Sequence, residues 1–469
     1  MIGDIRRART HPKFKHRFAL RVQINLLLFA RNPCISNVVT RCGSGRCSAS
    51  KGVVNIHRFE NTSPWHYSTI IGLLQILSPK MHCKNINALL ITISKSNISE
   101  IFKDLQVQEA SPEQRQPKPS GSDVKFGRVF SDHMLEVDWT EDNGWGIPHI
   151  TPLHNLSIHP GSQVLHYAIE LFEGMKAFRG FDNKIRLFRP DVNMERMRRT
   201  AKRAALPDFN GDELLKIIMK LIDLDREWVP YPENTSLYVR PTFIGTDPAL
   251  ALDTTRQAKL FVVTSPMGTY YSSEKGICLM ADSDYVRSFP GGVGAYKLGS
   301  NYGPTIMVSE LAEELGCDQV LWLFGQDEKL TEVGTTNIFI YWINENGEKE
   351  LTTPPLSDGL ILPGVTRDSL LAIARGWNEF KVVERYPTMA QVKQAVAENR
   401  LLQMFASGTA VGVSPVDRIL YRNPSTGEFE EILIATTVTD CAVMQRLHHA
   451  LLDIQYGRID AHEWTKIIE

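Results

Sequence analysis

The stretch GGVGAYKLGSNYGPT, residues 291–305, sets Lys297 among glycines and between Tyr296 and Tyr302. Farther on, TEVGTTNIF (331–339) brings a carboxylate, Glu332, to the start of an apolar run. An amine on an open turn can condense with an aldehyde, and a later carboxylate can hold a heterocyclic nitrogen. Gly291, Gly292, Gly294 and Gly299 are expected to let the backbone bend close to a planar ligand. Burial beside a cation lowers a lysine pKa and makes it nucleophilic, and Arg287 is the nearest candidate for that cation.

The surroundings of this stretch read as two α/β domains. Before it, NKIRLFR (183–189), SLYVRPTFIG (236–245) and KLFVVTS (259–265) read as strands. Between them Asp191 or Asn193 is expected to cap a helix reaching Ala205. A longer helix follows in GDELLKIIMKLIDLDREWV, with Leu214, Ile217, Ile218, Leu221 and Ile222 on its apolar side. After it, Pro304 is expected to open a helix with Met307, Leu311 and Leu315 in line, ended by Gly316. CDQVLWLF and NIFIYWI read as adjoining buried strands joined by the polar turn GQDEKLTE. TRDSLLAIARGW reads as a short helix after the turn at Pro363 and Gly364.

The apolar fraction of 43% and charged fraction of 22% are those of a globular chain, and a net charge of −1 leaves no footprint for nucleic acid or an anionic membrane. The apolar runs near 69–77 and 88–93 are too short to span a bilayer. The seven cysteines (Cys34, Cys42, Cys47, Cys83, Cys278, Cys317 and Cys441) show no CxxC and read as incidental thiols, with no metal site. From Ile5 to Phe59 there is no acidic residue among twelve basic ones, the composition of a mitochondrial transit peptide. The run QEASPEQRQPKPSGSD is too poor in apolar residues to offset ordering entropy. The chain therefore divides into a basic extension (1–107), a disordered linker (108–124), a small α/β domain (125–271), an interdomain loop (272–286) and a large domain (287–469).

Other groups fit the same chemistry. A phosphate needs backbone N–H groups at a helix start, which LPGVTRDSLL offers at Gly364, Val365 and Thr366, and FASGTAVG offers a second small-residue turn at Ser407, Gly408 and Thr409. Arg196 could complete the clamp. A nucleotide-phosphate loop is excluded, because Leu298 stands where a magnesium-holding Ser or Thr would follow the lysine. Tyr238 and Arg240, two apart on a strand, share a face. Thr331, Thr335 and Asn337 are placed to orient Glu332.

In order, LFEGMKAFRG, NMERM, SLYVRPTFIGT, GGVGAYKLGSNYGP, TEVGTTNIF, LPGVTR, SGTA and IQYGRIDAHEW resemble the branched-chain amino acid aminotransferases, class-IV enzymes of fold type IV that use pyridoxal 5'-phosphate. The resemblance runs from about Lys125 to Trp464 and leaves out the first 120 residues. It implies an α/β fold with α+β character: a smaller N-terminal α/β domain and a larger cofactor-binding domain. It further implies that Lys297 forms the Schiff base and carries the proton, that Glu332 holds the pyridine nitrogen, and that Tyr302 donates to the ring hydroxyl. Arg196, Val365, Thr366 and Thr409 match phosphate-holding positions; Tyr167, Phe172, Tyr238, Arg240, Thr335 and Ala410 match the substrate pocket. The implied reaction moves the amino group of leucine, isoleucine or valine to 2-oxoglutarate in a ping-pong cycle that gives a branched 2-oxo acid and glutamate. The implied assembly is a homodimer, mitochondrial by its leader or cytoplasmic without one. D-amino acid aminotransferases and aminodeoxychorismate lyases share the lysine and glutamate but lack LFEGMKAFRG and SLYVRPTFIGT. A catalytically silent interaction protein is disfavoured by the intact lysine, glutamate and arginine. Vertebrate members carry a redox-active CxxC directly after SGTA; Val411 and Ser414 stand there in this chain, so no thiol switch is expected at that turn.

Overall fold

A computed structural model describes residues 104–119, 124–231, 233–268, 275–461 and 463–469. The reading of residues 1–103 as a basic extension lies outside the described residues. Among the described residues, nine strands and three α-helices come first. The strands are β1 (Gln106–Val107), β2 (His133–Thr140), β3 (Gly144–Trp145), β4 (His149–Pro152), β5 (Glu170–Phe172), β6 (Met175–Arg179), β7 (Ile185–Phe188), β8 (Ser236–Gly245) and β9 (Gln257–Met267). The helices are α1 (Gln163–Tyr167), α2 (Pro190–Arg203) and α3 (Gly211–Leu224). Long antiparallel pairings of β9 with β2 and β8 form the middle of this sheet. Asn210 caps α3 by accepting from the backbone of Asp212 and Glu213, and the helix buries Leu214, Ile217, Ile218, Leu221 and Ile222 in the core beneath the sheet. The start of α2 differs from expectation: its cap is Arg189, held left-handed at φ 45°, with Pro190 supplying the first helical turn.

The second half contributes β10 (Ile277–Ala281), β11 (Gln319–Phe324), β12 (Lys329–Val333), β13 (Thr336–Ile343), β14 (Lys349–Thr353), β15 (Lys381–Glu384), β16 (Leu401–Gly408), β17 (Gly412–Arg422) and β18 (Phe429–Leu433). With them come α4 (Thr305–Glu314), α5 (Val365–Trp377), α6 (Met389–Ala397) and α7 (Val443–Gln455). The order β12-β11-β10-β17-β16-β13 closes on itself, because β12 also pairs with β13. Closure removes the exposed edges that an open sheet would carry. Glu332 and Asn337 are partners in that closing pair. The supposed polar turn GQDEKLTE thus contains most of a strand, and β12 separates β11 from β13 on this side. In α4 the buried side chains are Val308 and Ala312, one position from the expected line, while Met307 faces outward.

Three boundaries are corrected. The linker reading fails over 108–119: β1 pairs with β4, and buried Ala110 donates its N–H to His133 Nε2 at 2.8 Å. Gln116 N–H meets Asp132 Oδ1 at 2.8 Å. These partners belong to a buried polar network in which His133 Nδ1 lies 2.6 Å from Asp225 and Trp228 donates to Asp132. Backbone hydrogen bonding therefore orders a segment that has little apolar surface to bury. The interdomain loop 272–286 contains β10, fully buried and central in the ring. Finally, β19 (Thr465–Ile468) leaves the large domain and pairs antiparallel with β7. Among the described residues no helix is long and apolar enough to cross a membrane, and no cluster of metal ligands occurs.

Candidate active site

Between the two sheets lies a cavity of about 280 Å³. Lys297, Arg196, Tyr302, Glu332, Val365, Thr366, Thr409, Phe172, Tyr238, Arg240, Thr335 and Ala410 all line it. Twelve of the thirteen residues that the resemblance assigns to the cofactor and substrate are thus brought together. Tyr167 is the exception. It closes α1, a helix of five residues ended by Ala168 at φ 48°, and its hydroxyl donates to Leu250 O at 2.5 Å on the outer surface.

The lysine segment is docked on the first half through its backbone. Lys297 O accepts from Phe172 N at 3.1 Å, and Lys297 N–H points to Thr200 Oγ1 at 3.3 Å. Its amine lies 4.4 Å from the Phe172 ring centre and 5.4 Å from that of Tyr302. Burial pulls the amine down to about 7, with Arg196 and Arg240 adding to the shift and Glu173 and Glu332 opposing it. The Tyr302 phenol is pushed up to about 12, chiefly by burial, so it stays a hydrogen-bond donor. Tyr296 does not join the cavity lining; Arg199 and Arg203 stack over it.

Gly294 and Gly299 serve a purpose other than ligand approach. A Cβ on Gly294 would come within 2.6 Å of Leu360 O, and one on Gly299 would strike the Glu170 carboxylate. They let protein elements close on one another. The glycines that do face the cavity are Gly174, Gly364 and Gly408.

Two buried ion pairs set the electrostatics. Glu332 Oε2 lies 3.0 Å from Arg287 Nη2, so Arg287 neutralises the carboxylate and is not the lysine's neighbour. Glu332 Oε1 accepts from Asn337 Nδ2 and Leu362 N, each at 2.9 Å. Burial raises the Glu332 pKa, and Arg287 and the Leu362 N–H hold it back. Thr331, expected beside the carboxylate, donates to Trp322 O instead.

The second pair is Glu173 with Arg196, at 2.6 Å (Nε to Oε1) and 2.9 Å (Nη2 to Oε2). Arg196 Nη1 also donates to Pro363 O at 3.0 Å. Asn193 Nδ2 and Gly174 N–H complete the Glu173 shell. Burial alone would raise the Glu173 pKa, but Arg196, Lys297 and Asn193 carry it below the ordinary value. Glu173 stands inside LFEGM, and an acid within an apolar run is the signal that sequence reading passed over. Phe126, 4.8 Å from the Tyr238 ring, also lines the cavity without having been anticipated.

Removing Arg287 strands a buried carboxylate, which costs about 3–5 kcal/mol. Arg287→Met is therefore expected to lower unfolding free energy in denaturant melts by about that amount. Adding Glu332→Gln to that variant should recover much of the loss; a double variant as unstable as the single one would contradict the assignment.

Residues 170–419 match the family model for amino-transferase class IV. The chain is 54% identical over 368 residues to a cytosolic branched-chain-amino-acid aminotransferase of Caenorhabditis elegans, covering 78% of this chain and 89% of that one. It is 49% identical over 371 residues to a mitochondrial branched-chain-amino-acid aminotransferase of Rattus norvegicus, covering 78% and 92%. Among solved structures, the branched-chain amino acid aminotransferase of Thermobaculum terrenum in its PLP form shares the fold, with a TM-score of 0.55 and 17% identity over 72% of this chain and 98% of that one. The chain belongs to the pyridoxal-phosphate-dependent class IV aminotransferases, within the branched-chain-amino-acid aminotransferase family.

Proposed function

We propose that the chain transfers the amino group of leucine, isoleucine or valine to 2-oxoglutarate, with Lys297 as its catalytic residue. The observation that carries this reading is one buried amine, lowered to about 7, facing a cavity whose wall also holds a buried carboxylate and two guanidinium groups. The lining suits pyridoxal 5'-phosphate. Ser407 Oγ and Arg240 Nε are buried there without a protein partner, and Gly364 gives α5 no capping side chain. Bound there, the cofactor supplies an aldehyde and the electron sink that makes the substrate Cα–H acidic.

In this reading the first turn of α5, at Val365 and Thr366, takes the phosphate together with Thr409 and Arg196. Arg196 has three of its five N–H groups engaged by Glu173 and Pro363, which leaves two to point at an anion. Glu332 holds the protonated ring nitrogen, with its free charge already balanced by Arg287, and Tyr302 donates to the ring hydroxyl. Lys297 Nζ would hold the cofactor through its aldehyde, and the same amine, once free, would take and return the proton at the substrate Cα. Phe172 and Tyr238 form an apolar wall for a branched side chain. Arg240, with Nη2 at 3.3 Å from Tyr238 Oη, receives the distal carboxylate of glutamate.

The proposed assembly is a homodimer. Leu165, Tyr167, Leu250 and Leu252 lie exposed near one another, Leu252 to 74%, and the Tyr167 hydroxyl joins the two segments. Covering this surface with a second copy would bury it, and it gives a pocket-matching residue that lies outside its own chain's cavity a place against the partner.

Wild-type protein is expected to show a visible absorbance band and to transaminate each branched substrate. Uptake of pyridoxal 5'-phosphate by the cofactor-free protein should quicken with rising pH through about 7, as the free Lys297 amine loses its proton. Lys297→Ala should lose the band and about 10²–10⁴-fold in rate; a wild-type protein without the band would sink the enzyme reading. Arg240→Met is expected to raise the KM for 2-oxoglutarate by roughly 10- to 100-fold while changing that for leucine far less. An equal rise for both would remove Arg240 from the specificity role. Leu252→Asp is expected to sediment as a monomer, and an unchanged species in the ultracentrifuge would place the interface elsewhere.

A further inference from the structure

Cys278, in β10, and Cys317, in the turn between α4 and β11, place their sulfurs 2.9 Å apart. That is closer than two non-bonded sulfurs ordinarily sit. Both side chains are buried, packed with Met280, Val308, Ala312 and Trp322. The backbones around them are locked by reciprocal hydrogen bonds. Cys278 N–H donates to Asp318 Oδ2 at 2.8 Å, and Asp318 N–H donates to Cys278 O at 2.9 Å. Cys317 N–H is fixed to Ala312 O at 2.8 Å. A third group joins them: Arg418 Nε donates to Cys278 Sγ at 3.1 Å, while its Nη2 reaches Gly316 O at 3.2 Å and its Nη1 reaches Glu431 at 2.9 Å. The Arg418 side chain is 42% exposed, so it links the buried pair to solvent.

We propose that Cys278 and Cys317 are an oxidation site that closes to a disulfide under peroxides. Of the two sulfurs, Cys278 Sγ is the one that Arg418 Nε contacts and links to the exposed side, which makes Cys278 the attacking group. Cys317 is held up at about 12 by burial and by Cys278, which suits it to follow rather than lead. The Cys278 sulfur attacks the O–O bond of the hydroperoxide, forming Cys278 S–OH, and the oxygen that leaves takes the Cys278 proton and departs as water. Cys317 sulfur then displaces hydroxide from Cys278 sulfur; the S–S bond forms, and the Cys317 proton leaves with that hydroxide as a second water. With hydrogen peroxide, two thiols are oxidised to one disulfide and one peroxide is reduced to two waters.

The bond closes a loop that contains Arg287, Lys297 and Tyr302. Ile277 and Gln319, each next to or near one of the cysteines in sequence, line the cavity itself. This site is separate from the turn after SGTA, where Val411 and Ser414 carry no thiol. Constraining the unfolded chain across this loop stabilises the fold, so the oxidised protein should melt at a higher temperature than the reduced one.

The test is a peptide map of the full chain after hydrogen peroxide, alkylation and trypsin, without reductant. A map is needed because Cys34, Cys42, Cys47 and Cys83 also react in a bulk thiol count. The expected product links peptide 276–287 to peptide 298–329 and disappears on reduction, while Cys441 is recovered alkylated. Cys278→Ser and Cys317→Ser should each abolish the link and the rise in melting temperature. Recovery of both cysteines separately alkylated or separately over-oxidised, or linked to other cysteines, overturns the proposal. Should either variant fail to fold, the wild-type map decides alone.

Discussion

The arrangement depends on one buried ion pair. Glu173 sits between β5 and β6, Arg196 in the middle of α2, and the same guanidinium reaches Pro363 at the approach to α5. A charge removed from water is tolerated only when its partners are complete. Here the carboxylate has Arg196, Asn193 and Gly174, so the pair is satisfied and the three elements share one fixed point. Arg196 of that pair lines the cavity, and Arg287 and Asn337 satisfy Glu332, which lines it too, in the same way. Between them the lysine feels two positive and two negative neighbours, and desolvation decides its shift.

This balance explains why the site can hold a neutral amine beside several charges. Each carboxylate is matched by an arginine of its own, so neither is free to form a tight pair with Lys297. Burial therefore decides the protonation of the lysine. An ammonium in that position is the species the fold disfavours, and the free base is what the chemistry of an aldehyde cofactor requires.

Much of the site was legible because its chemistry is local in sequence. Lys297 lies in a glycine turn, Glu332 lies just before the apolar run NIFIYWI, and Val365 and Thr366 start a helix after Pro-Gly. What escaped depends on pairing across the fold. β12 was hidden because its polar residues are buried by neighbouring strands, as in the hydrogen bond from Thr331 to Trp322 O. Arg287, a candidate neighbour of Lys297 by sequence, pairs with Glu332, because proximity in sequence says nothing about which group its side chain reaches. The segment from 108 to 119 was read as disordered from composition, although its order comes from backbone groups meeting Asp132 and His133. Tyr167 matched a pocket position, but a left-handed residue just after it turns the chain so that its hydroxyl meets Leu250. The two cysteines gave no pattern in sequence, since only the parallel pairing of β10 with β11 brings their segments together.

The pairing of β19 with β7 has a further consequence for how the chain is made. β7 lies in the first half of the chain, and the strand that covers its open edge is encoded after the whole second sheet. During synthesis that edge, with its unpaired N–H and C=O groups, emerges long before its partner does. The small domain therefore cannot mature as an independent unit while the ribosome is still translating the large one. Its last hydrogen bonds wait on residues 465–468, which makes completion of the first sheet a late and non-local event.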